Sequence, residues 1–112
     1  MATDYSVKVI VMSVKESQKP MIVLSFTSNS KSNVVVDKFF DITDIIKSFG
    51  GKLIGFGEKI EFAVGDVRVS ILKYGLGKQP NAIEVTAPSS KADDAIKIFV
   101  KILSKIFGID NK

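Results

Sequence analysis

Near the end of the chain, apolar residues fall at 92, 95, 96, 99, 102, 103, 106 and 107, with Lys97, Lys101 and Lys105 between them. That spacing gathers the apolar set on one face of a 3.6-residue helix. It predicts a long C-terminal helix over residues 89–108, preceded by Pro88 and opened by a capping box from Ser90 to Asp93. Upstream the period changes to two. Residues 5–14 alternate Val7, Val9 and Val11 on one face with Ser6, Lys8, Ile10 and Met12 on the other, as a half-buried strand does. The polar stretch 15–20 ends in Pro20 and reads as a turn into a second strand, 21–27.

The stretch that follows carries two patterns. Val34, Val35 and Val36 favour a strand, whereas Val36, Phe39, Ile42, Ile45, Ile46 and Phe49 have helical spacing. Shifting the chain by 60 positions helps to decide. It aligns Val7 with Val67, Lys8 with Arg68, Val9 with Val69, Pro20 with Pro80, Ser30 with Ser90, Lys31 with Lys91, Phe39 with Phe99, Ile42 with Ile102 and Ile46 with Ile106. An internal repeat of strand, strand and helix follows, with halves 5–50 and 66–108. Residues 33–49 are then a helix stopped by Gly50 and Gly51, and the three valines are poor material for its first turn.

Short strands are expected at 52–56, 58–64, 67–74 and 82–87, the last two joined by a Gly-rich loop, 75–81. Strands joined by short turns run antiparallel, and an amphipathic helix needs a sheet to cover. The expected fold is therefore α+β and two-layered, one domain with an antiparallel sheet of about six strands and two helices on one face. The element order is β-β-α-β-β-β-β-α. Four strands running into a long helix is also how TATA-binding-protein-like and helix-grip domains finish, a likeness of element order that no residue motif carries.

Composition narrows the chemistry. With no cysteine and no histidine, thiolate chemistry and the commonest general base and metal ligand are absent, so the expectation is a non-enzymatic protein without cofactor or metal. A net charge of +4 rests on sixteen basic residues, of which Arg68 is the only arginine. This mild bias suits a polyanionic partner or simple solubility, and the Lys-rich, Cys-free balance also occurs in thermophiles. No apolar run is long enough to span a bilayer, and the N-terminus lacks a charged leader, so the expected location is cytoplasmic, with no membrane partner.

Four features carry candidate chemistry. The Gly75, Gly77, Lys78 loop joins two strands and lacks a P-loop ending, so an ordinary hairpin loop explains it. Lys97, Lys101 and Lys105 form a positive stripe that, with Lys8 and Arg68, makes up the possible nucleic-acid contacts. Asp93 is spaced to pair with Lys97, while Lys101 and Lys105 repel. The sheet face away from the helices would show Lys8, Ile10, Met12, Lys59, Glu61, Arg68, Ser70, Leu72, Tyr74, Glu84 and Thr86, and Ile10, Met12, Leu72 and Tyr74 form the possible interface. The expected function is accordingly a small binding or assembly module that dimerises through this open face. The alternatives are a nucleic-acid-binding protein, or a helix-grip type pocket for a hydrophobic small molecule lined by Phe99, Leu103, Ile106 and Phe107.

Overall fold

The computed structural model describes residues 5–14, 19–28, 34–73 and 80–108, the first strand and Lys19 by their backbone. The architecture is α+β: an open antiparallel sheet with helices packed on one face and a long C-terminal helix across it. The strands are β1 (Tyr5–Val14), β2 (Lys19–Ser28), β3 (Lys52–Phe56), β4 (Ile60–Val64), β5 (Val67–Leu72) and β6 (Ala82–Pro88). They lie in the order β1-β2-β6-β5-β4-β3, every neighbouring pair antiparallel. The helices are α1 (Val34–Asp37), α2 (Phe39–Ser48) and α3 (Ala92–Phe107).

Alternation in the strands decides which face the helices cover. On β2, Ile22, Leu24 and Phe26 are buried, and they stand opposite Ala87, Val85 and Ile83 of β6. Ile83 and Val85 in turn oppose Ile71 and Val69 of β5, and Val69 opposes Phe62 of β4. Against this layer pack Val35 of α1, Ile42 and Ile46 of α2, and Ala95, Ile98, Phe99, Ile102 and Ile106 of α3, all in one core. At roughly 1.5–3 kcal/mol for each large apolar side chain, this burial is the main term holding the two layers together.

Three expectations are corrected. The first helix is not continuous: α1 and α2 are separated at Lys38, whose φ of −102° and ψ of 11° leave the helical region. Three β-branched valines in the first turn lose side-chain freedom in a helix, and the chain breaks two residues after them, at Lys38. The Ser90 to Asp93 capping box does not form, because Ser89–Lys91 is a 3-10 turn and no side chain caps either it or α3. On α3 the buried arc is rotated: Ile98 is 1% exposed, whereas Ile96 is 42% and Phe107 39% exposed.

Glycine ends both long helices. Gly50 (φ 86°) follows α2 and Gly108 (φ 70°) follows α3, in the left-handed region that other residues avoid. Gly51 is needed for a different reason. A Cβ there would stand 2.5 Å from Ile46 Cγ2 and 2.7 Å from the Ile46 carbonyl oxygen, so only glycine lets α2 lead straight into β3.

The shift of 60 positions can be traced residue by residue. It matches buried Ile42 with buried Ile102, Ile46 with Ile106 and Val35 with Ala95. In β2 and β6 it fails, since it sets buried Leu24 against Glu84, which lies on the opposite sheet face. One residue more restores the match there: Ile22 with Ile83, Leu24 with Val85 and Phe26 with Ala87, all buried.

Candidate interaction surfaces

Cross-strand register assembles the open face in rows, because residues opposite one another share a face. One row runs Lys8, Ser25, Glu84, Ser70, Glu61 and another Ile10, Val23, Thr86, Arg68, Ala63. Its middle is small and polar. Ser70 is 6% exposed and Ala82 1%, closed in by half-buried Glu61, Glu84 and Thr86.

The expected apolar cluster on this face does not come together. Ile10 and Met12 stand opposite Val23 and Met21, whereas Leu72 stands opposite Ala82, near the other end of β6 and three strands away. Strand spacing and rise place Leu72 about 20 Å from Ile10 and about 25 Å from Met12. Tyr74, like the Gly75 to Gln79 part of the Gly-rich loop, lies outside the described residues. Leu72 instead lines a groove of about 520 Å³ with Gly55, Phe56, Lys59, Glu61 and Lys73.

That groove borders an exposed apolar group at the β3 end of the sheet. Leu53 is 54%, Ile54 51% and Phe56 78% exposed. The register shifts between Leu53 and Gly55, so β3 is a short, bulged edge strand. Such a bulge bends the edge out of the sheet plane and discourages further pairing.

The opposite edge is built differently. β1 pairs with β2 at every position from Tyr5 to Val14 without a register shift, and among the described residues no strand lies on its other side. Its sequence holds one lysine, no proline and no glycine, so it lacks most devices that blunt an edge.

The basic residues form two separate groups. Lys97, Lys101 and Lys105 are exposed on α3, and among the described residues none of them carries an ion pair, so the expected Asp93 to Lys97 pair is not formed. Lys8 and Arg68 lie by register on the open face, on the far side of the sheet from the helices. The Arg68 Nη1 donates to the carbonyls of Gly65 (2.9 Å) and Val67 (3.3 Å), which ties the side chain to the β4–β5 turn. These five residues therefore do not make one continuous basic surface.

Other expected features are placed as follows. Ile102 and Ile106 fill the space between α3 and the sheet at 0% and 5% exposure, and Phe107 packs edge-on against Phe26 with ring centroids 5.8 Å apart. The grooves lined by Leu72, by Ile71 with Pro80, and by Ile96 with Val100 all lie on the surface. Among the described residues no group of three or more carboxylates is placed to hold a metal ion, and no helix is long and apolar enough to cross a membrane. Compared with protein-family models, curated proteins and solved structures, the chain has no match.

Sequence reasoning missed the exposed β3 group. A signal was available, because Leu53, Ile54 and Phe56 break strict alternation and put apolar side chains on both faces of one strand. A half-buried strand has no use for that pattern.

Proposed function

We propose that this chain is a non-enzymatic assembly module that pairs with a second copy through the outer edge of β1, continuing the antiparallel sheet across two chains. The observation that carries this reading is the unbroken ten-residue edge. Its backbone groups face outward over about 33 Å. Antiparallel pairing of β1 with β1 of a second copy is isologous, so the assembly closes as a dimer.

An internal two-fold adds support. If the halves 5–50 and 66–108 are repeats, the β1–β2 hairpin corresponds to the β5–β6 hairpin, and the two meet along β2 and β6 in the middle of the sheet. The outer edge of β1 then corresponds to the outer edge of β5, which is occupied by the antiparallel strand β4. The equivalent place beside β1 suits a strand of the same direction, and a second copy supplies it.

Self-association through the open face is the weaker route, since its apolar residues sit at separate corners around a small, polar middle. Amide hydrogen exchange along β1 distinguishes the edge from the face. In a monomer, successive N–H groups point alternately to β2 and to water, so every second amide exchanges fast. Pairing through the edge protects consecutive amides. Fast exchange at every second position in a sample whose mass is that of a dimer would overturn the reading.

A further inference from the structure

The outer flank of α3 carries a row of exposed apolar side chains beside the lysine stripe. Ile96 and Val100, 42% and 44% exposed, lie one helical turn apart. With half-buried Phe49 from the end of α2 they floor a groove of about 580 Å³, and Asp93, Lys97 and Lys101 form its rim. Lys105, exposed one turn beyond Lys101, extends the basic row. From Asp93 to Lys101 the lining runs about 12 Å along α3, a little over two turns of a helix.

We infer that this groove receives an amphipathic helix of a partner protein whose apolar row is flanked by carboxylates. The apolar floor accepts side chains at helical spacing, as grooves that bind amphipathic helices do. The charge of the rim selects the partner. Lys97 and Lys101 carry no ion pair among the described residues, and the basic row lies along one side of the apolar row, which fits a helix with acidic residues on one flank.

Other occupants match the surface less well. A second copy of α3 docked antiparallel here would set the lysine row of one copy beside the lysine row of the other. A nucleic-acid backbone has no use for the apolar floor, and Lys8 and Arg68, the remaining basic candidates, lie on the opposite side of the molecule. An anionic membrane would set its headgroups against Asp93, which lies among the lining residues beside Lys97.

The test is a titration of the full isotope-labelled chain, followed by amide and methyl shifts. The probe is a helical peptide of about sixteen residues, with leucines at i, i+4, i+7 and i+11 and a flanking row of glutamates. Shifts are expected at Phe49, Ile96 and Val100, with affinity falling as salt is added. Replacing the glutamates by glutamine should weaken binding about tenfold, as should the double change Lys97→Glu and Lys101→Glu. A peptide with lysines in place of the glutamates should regain affinity for that double variant. Equal binding of the glutamate and glutamine peptides would overturn the inference, as would shifts centred elsewhere or no shift at millimolar peptide. So would shifts at these residues produced by duplex DNA or phosphatidylserine vesicles while the peptide gives none.

Discussion

The two edges of this sheet solve the same problem in opposite ways. β3 is five residues long, starts at a lysine, bulges between Leu53 and Gly55, and leaves its apolar side chains exposed. β1 is ten residues long and regular, and its single lysine is the only charge along it. An edge that is bulged resists ladder formation, whereas a long regular edge invites it. Exposed apolar side chains and an exposed hydrogen-bonding edge are different kinds of stickiness; β3 carries the first and β1 offers the second. Self-pairing is proposed for the edge with the regular backbone, β1.

Substitutions can break or sharpen that contrast. The largest expected effect is on association: Ile10→Lys with Met12→Lys sets three lysines on one register face of β1, where self-pairing would juxtapose them. Like charges opposed across a ladder destabilise it, and the dimer should weaken by about a hundredfold or more, read by light scattering across a dilution series. Next comes Gly51→Ala, at the root of β3. The added Cβ meets Ile46 backbone and side chain, so stability should fall by about 1–3 kcal/mol in urea melts, with the dimer constant unchanged.

Asn81→Ala should cost a comparable or smaller amount, about 1–2 kcal/mol. The buried Asn81 joins three strands: its Nδ2 donates to the Ser28 carbonyl at 3.1 Å, its carbonyl accepts from the Ser28 N–H at 2.8 Å, and its N–H donates to the Leu72 carbonyl at 2.9 Å. Removing the amide leaves the buried Ser28 carbonyl short of a donor where β2 ends beside the start of β6. The smallest effect is at the bulged edge itself. Phe56→Ser changes a side chain that is 78% exposed and should alter stability by less than about 0.5 kcal/mol, leaving the mass unchanged. A monomeric Phe56→Ser protein would move the interface to β3.

Period and punctuation made much of the fold legible. The strand alternation of Val67, Val69 and Ile71 and the helical spacing of Ile102 and Ile106 both predict residues that are buried, and Gly50 marks the end of α2. What sequence left open was non-local. Apolar residues on α3 cover so wide an arc that either Ile96 or Ile98 can be the wet margin, and the outcome depends on which flank α2 covers. Likewise, the separation of Ile10 and Met12 from Leu72 follows from β2 and β6 standing between their strands, an order that local pattern does not encode. Lys97, Lys101 and Lys105 were legible as a stripe, but the groove beside them needs Phe49 from another helix. The bulge in β3 has no sequence mark beyond Gly55.

The central claim is that β1 pairs with a second copy, and the mass of the wild-type chain in solution tests it most directly. Light scattering at low and high salt should give twice the 12.2 kDa of one chain at both, because a backbone ladder is little screened by ions. A mass of 12.2 kDa persisting to the highest attainable concentration would contradict it.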